Sequence, residues 1–332
     1  MDPTTPWADP RSYFADPSEG WSESPGHRQM SARLRGLLRE CVPEGESRVR
    51  QAVKDWNLQV REQLRVETAL RLSAEDQSVT VPVRVTDGVP PPLWQRLNIP
   101  DTSLRLLLLR GTIAAAAQGV HLIRADLDAV RSLVASEVAS GDDLPSEPEL
   151  ARVARLLSLL TEELADVRLF DDIWREPVDW LGAYFFRKPL VEIYWIPIAF
   201  EAARSQLEIE ALTYVVLAHE LAHAYTHLGR DIDGHSWRTE DFAGTSGYVV
   251  EGLAQHYARM LCRKVEPRFP AALRAFDAML EHQRPGPYAD FENWVSGVRH
   301  PGEHLRQSML ELRRKGLRKY AEFQRVLGGS TG

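Results

Sequence analysis

The residues able to do chemistry are His219-Glu220-Leu221-Ala222-His223, two imidazoles four positions apart with a carboxylate directly after the first. On a helix, side chains at i and i+4 lie on one face, so both imidazoles can reach one ion. Neutral imidazole nitrogen is a preferred zinc ligand, at about 2.0–2.1 Å. Glu220, one step round the helix from His219, falls beside such an ion, where a carboxylate can take a proton from water held there. The surrounding run, VVLAHELAHAY, is otherwise apolar. Ionisable groups are unexpected in such a run unless they are employed.

Two histidines do not complete a site, and several residues compete for the third place. His227 continues the four-residue ladder, but one straight helix cannot wrap three successive steps around an ion. A three-histidine HExxHxxGxxH version needs glycine at 226 and histidine at 229, whereas the chain has Thr226 and Gly229. Asp231, Asp233 and His235 lie in the polar stretch that follows. Glu251 is the best candidate, opening Glu251-Gly252-Leu253-Ala254-Gln255 within a second apolar helix. A buried carboxylate there is costly unless its charge is compensated, and a divalent metal would do so.

His219-Glu220-x-x-His223 followed by Glu251-Gly-x-Ala-Gln resembles the gluzincin branch of zinc metallopeptidases, the thermolysin-like clan. The resemblance covers about residues 180–265. It implies Zn2+ as cofactor, His219, His223 and Glu251 as ligands, and Glu220 as general base in peptide-bond hydrolysis. It also implies that the aromatic strand near Val191 to Trp195 is a sheet edge along which an extended peptide adds by backbone pairing. The oxyanion needs a further donor, usually a tyrosine or histidine in this clan. Tyr248, one turn before Glu251, is the first choice; His256, Tyr257, His300 and His304 are the others. Gln255 stands where thermolysin-like enzymes often carry an aspartate, which leaves the partner that orients the imidazoles unassigned. The expected activity is a zinc-dependent endopeptidase of narrow, regulatory specificity, acting inside the cell on a peptide or protein. The competing reading is a catalytically silent, peptidase-like binding scaffold. Such a scaffold would normally have lost part of the motif, and Glu220 and Glu251 are both in place.

The elements that must position these residues are mostly helical, an α+β fold with a small edge-stranded sheet. Residues 1–27 hold five prolines without any period and are expected to be a disordered tail. A helical region is expected over 28–178, and the peptidase-like domain with C-terminal helices over 179–332. Val49, Val53, Trp56, Val60, Leu64 and Leu70 mark a helix from Glu46 to Ser73. Ser78 to Val85 alternates as a strand, with Pro82 suggesting an edge. Helices are expected over Ser103 to Gln118, His121 to Ala139 and Glu147 to Val167. Gly182 to Phe200, aromatic and β-branched with Pro189 and Pro197, reads as one or two strands. One long helix from Ala202 to Leu228 then carries the motif, capped by Gly229. Further helices are expected from Gly247 to Cys262, one opened by Pro267 and Pro270, and one from Glu303 to Val326, before a fraying glycine-rich end.

Composition narrows the function classes. The 332 residues carry 40 basic and 47 acidic side chains, a net −7 with histidine neutral. A nucleic-acid binder usually shows a basic stripe, so no nucleic-acid partner is expected. Cys41 and Cys262 are the only two cysteines, too few for a disulfide framework or a thiolate cage. The first residues show no basic segment followed by an apolar core, and Leu104 to Ala117 is interrupted by Arg105 and Arg110. Neither a signal peptide nor a membrane span is expected, and a cytoplasmic location follows from that.

Overall fold

The computed structural model describes residues 25–72, 81–89, 93, 100–125, 146–165, 181–283, 286–294 and 298–329. It is a mostly helical α+β arrangement with one three-stranded sheet. Of the expected tail, residues 1–24 lie outside the described residues, and α1 (Pro25–Cys41) begins at Pro25. In α2 (Gly45–Thr68), Val49, Val53, Val60 and Leu64 recur on one face and are fully or nearly buried. That face packs against the two helices around the motif, described below. Ala69, in the left-handed region at φ 53°, ends α2.

The expected strand over Ser78 to Val85 falls partly outside the described residues, and the described strand is β1 (Val83–Thr86). The two helices expected on either side of Gly119 form one, α3 (Asp101–Ala125); of the second expected helix, residues 126–139 lie outside the described residues. Next comes α4 (Glu147–Ala165), which pairs with α3.

The sheet has the order β1-β3-β2, with β2 (Gly182–Phe185) antiparallel and β1 parallel to β3 (Leu190–Tyr194). Pro82 precedes an edge strand, as expected, and its carbonyl accepts from Val191 N at 2.9 Å. The strand read as an edge, Val191 to Trp195, is instead the central one, hydrogen-bonded on both sides. Its ladder positions are taken, so it cannot accept an added peptide strand. Nor does strand continue to Phe200. Trp195 opens α5 (Trp195–Ser205), and Pro197 sits in its first turn, where a missing N–H removes no helical bond.

The helix expected over Ala202 to Leu228 is two helices. Gln206 takes the left-handed conformation at φ 53° and closes α5, and α6 (Ile209–Leu228) starts afresh. Every residue of α6 from 211 to 227 is buried. A helix apolar all round must be covered on all sides. Here α2, α5, β2, β3 and two later helices provide that cover. Those two are α8 (Gly247–Val265) and α9 (Pro270–His282), preceded by the short α7 (Thr239–Ala243).

The chain closes with α10 (Phe291–Trp294), α11 (Pro301–Lys315) and α12 (Tyr320–Gly329). The expected single helix from Glu303 to Val326 is divided at Gly316, whose φ of 60° is the left-handed C-terminal stop that glycine favours. No helix among the described residues is long and apolar enough to cross a membrane.

Candidate metal centre

His219 and His223 project from the middle of α6, which places both imidazoles inside the core, 7% and 0% exposed. Their Nε2 atoms face each other at 3.0 Å. Glu251 enters from the second turn of α8, which packs along α6. Its Oε2 lies 3.2 Å from His219 Nε2 and 3.6 Å from His223 Nε2. Among the described residues these three form the one cluster of histidine, cysteine and carboxylate groups able to hold a metal ion.

The donor geometry fits such an ion. Ligands at about 2.0–2.1 Å in a tetrahedron stand about 3.3 Å apart, and the three observed separations, 3.0, 3.2 and 3.6 Å, bracket that value. The electrostatics agree. Apart from the two imidazoles, no donor among the described residues reaches either buried oxygen of Glu251. Burial pushes that carboxyl upward, but the two imidazoles outweigh it and hold it ionised, below the usual carboxylate range. Burial holds the His219 imidazole below its ordinary value. An ionised carboxylate beside neutral imidazole, all withdrawn from water, calls for a cation.

Glu220 is buried where α6 crosses β2. Gly182 makes this crossing possible. A Cβ there would lie 2.8 Å from Val216 Cγ1 and 2.9 Å from Glu220 Cγ, so one of them would have to shift. The expected general base is thus seated against bare backbone of the edge strand.

The other candidate ligands lie elsewhere. His227 Nδ1 shares a hydrogen bond with the Tyr184 hydroxyl at 2.8 Å, and its Nε2 faces Thr239 Oγ1 at 3.2 Å. Its ring stacks on Phe242, and burial, with Arg313 nearby, pushes its pKa down to about 3. The ring of Tyr184 in turn lies parallel to that of His223, 6.5 Å away. His227 therefore supports the wall behind a candidate ligand. Asp231 accepts from the backbone of Asp233 and His235 and pairs with Arg314 at 3.0 Å, while Arg313 donates to the carbonyl of His235. Asp231, Asp233 and His235 thus belong to a loop fastened by α11, outside the cluster.

Tyr248, the first choice as oxyanion donor, packs its ring against Tyr320, 5.3 Å between centroids. Besides Tyr184, a tyrosine ring beside the cluster is that of Tyr288, buried, with its centroid 6.0 Å from that of His219. Sequence reasoning missed it because it sits in a proline- and glycine-bearing turn with no helical period. A signal was available in Gly252, directly after Glu251. A Cβ there would lie 2.2 Å from Trp294 Cη2, so the glycine admits the segment that carries Tyr288. Tyr257 is buried with its hydroxyl towards Met309 Sδ, His300 is exposed at the start of α11, and His304 is buried within that helix. His256 looks onto a separate cavity. Gln255 donates to Gln283 Oε1 at 3.1 Å.

No family model matches the chain, and neither the curated proteins nor the solved structures hold a match to it.

Proposed function

We propose that this chain is a zinc-dependent metallopeptidase of gluzincin type. The observation that supports it is the convergence of His219, His223 and Glu251 at tetrahedral spacing beside a buried Glu220. His219 and His223 would hold the ion, and Glu251 would supply the negative ligand. The bound ion supplies Lewis acidity, which polarises a carbonyl and acidifies water at neutral pH. Glu220 accepts the proton of the attacking water and delivers it to the departing amine. In this reading Tyr288, rather than Tyr248, stabilises charge on the carbonyl oxygen; what supports it is the Tyr288 ring adjoining His219 while the Tyr248 ring packs on Tyr320. Tyr184, held by His227, fixes the face behind His223. The substrate is a peptide or protein. Because β3 is paired on both sides, an extended substrate cannot use that strand as its template.

The test is metal content by elemental mass spectrometry on protein purified without chelator, with Glu251→Ala alongside. The expected result is about one zinc per wild-type chain and a clear loss in the variant. A wild-type protein that stays metal-free after zinc is resupplied rules the proposal out and leaves a binding scaffold.

A further inference from the structure

A cavity lies on the other side of α8 from Glu251. Five residues past Glu251 the helix has turned about 140°, and His256, Arg259, Met260, Arg263 and Lys264 share that far face. Together with Phe291 and Glu292 of α10 and the first turn of α11, they enclose about 480 Å³. The volume is that of a small-molecule site. Three cations line it: Arg259 meets Glu292 at 2.8 Å, Lys264 pairs with Glu67 of α2, and Arg263 is left over. The Arg259 guanidinium lies over the Phe291 ring, yet its Nε is buried without a partner. His256 is 7% exposed, and its Nε2 is likewise buried without a partner. Arg263 is exposed and makes no ion pair among the described residues. Burial, then the charges of Arg263 and Arg259, push the His256 pKa down to about 4, a sign of the positive field in this cavity. The fifteen-residue helix α11 also begins here, with Pro301 and Gly302 on the wall and no side chain capping its first amides. Uncapped helix N-termini favour anions.

We propose that this cavity binds a phosphate group carried on a small molecule. One uncompensated cation, Arg263, remains after Glu292 and Glu67 are counted, and together with the uncapped start of α11 it favours an anionic group such as phosphate. Arg259 and Arg263 offer the planar forks that phosphate oxygens accept. Met260 and Phe291 offer an apolar wall to the remainder of the molecule. The site is independent of the metal reading, since it uses the opposite face of α8.

The experiment is equilibrium dialysis of the full chain against radiolabelled inorganic phosphate, with ionic strength held constant by chloride. Wild type is expected to saturate at about one phosphate per chain, with half-saturation on the order of 1 mM or below. Arg263→Ala, at an exposed position, is expected to bind at least about tenfold more weakly, and Arg263→Lys to recover part of the loss. Glu251→Gln is expected to bind as wild type does, so failure of the metal site leaves this result intact. Binding that does not saturate by about 10 mM, or equal affinity in wild type and Arg263→Ala, overturns the proposal.

Discussion

Glu251 is 1% exposed and ionised, and among the described residues the only donors near it are two imidazoles. A carboxylate in that position destabilises the fold until a cation arrives, so metal binding and stability should be linked. Chelation is expected to lower the melting temperature of the wild type by several degrees, and zinc to restore it. Glu251→Gln, which removes the buried charge, should melt at the same temperature with and without chelator. A wild-type melting curve indifferent to chelator and zinc contradicts the linkage. The roles of Glu220 and the two tyrosines separate in the same way. Glu220→Gln should retain zinc while turnover on a peptide library, read by mass spectrometry, falls by about 10²–10⁴. Tyr288→Phe should lose about 10², and Tyr248→Phe, whose ring rests on Tyr320, should lose little. Equal losses in the two tyrosine variants would return the assignment to neither residue. That His219 and His223 share a face was readable in the sequence, because helical spacing fixes it; Glu251, on another helix, was singled out by the cost of burying its charge. The tyrosine was not, because turns carry no such period.

At the scale of elements, the candidate site depends on how closely α6 approaches β2. Gly182 sets that distance, and the sequence gives no hint of it: a glycine opening an aromatic strand reads as a turn residue. Gly182→Ala would place a methyl group 2.9 Å from Glu220 Cγ, below any ordinary carbon contact. Since His219, His223 and Glu251 are held by α6 and α8, the variant is expected to bind zinc normally while turnover falls at least about tenfold. Loss of zinc together with turnover would show that β2 supports the ligands as well as the base. The strand misread as an edge fails for a related reason. Alternation and aromatic content report that a segment is extended, and Val191 to Tyr194 is. They do not report how many neighbours it has, because the second neighbour, β1, comes from about a hundred residues earlier in the chain. The α5–α6 break was hidden because its left-handed residue is Gln206, not glycine.

Across the whole molecule, the 178/179 boundary drawn from sequence is crossed by both the sheet and the core. β1 pairs with β3, α2 lies along α6, and Leu34, Val53, Leu64 and Leu108 share one buried cluster with Leu217, Leu253 and Leu312. Periodicity identified the buried faces of these helices but not their partners, and so a shared core read as two regions. A shared core makes global stability the sum of what both halves bury, including ionisable groups placed far from the metal. His227 and His256 are buried neutral, with pKa values pushed down to about 3 and about 4. In the unfolded chain both take up protons near pH 6.5. Between pH 6.5 and about 4 the unfolded state therefore binds more protons, and stability falls as the solution is acidified. Each buried histidine contributes about 1.4 kcal/mol per pH unit across that window. Urea unfolding of metal-free protein between pH 6 and pH 5 should show the slope of stability against pH dropping by about that amount in His227→Gln, which can still bond Tyr184. One cooperative transition should report both halves. An unchanged slope would mean that His227 is protonated in the folded protein, and the Tyr184–His227 support behind His223 would then need a different charge assignment.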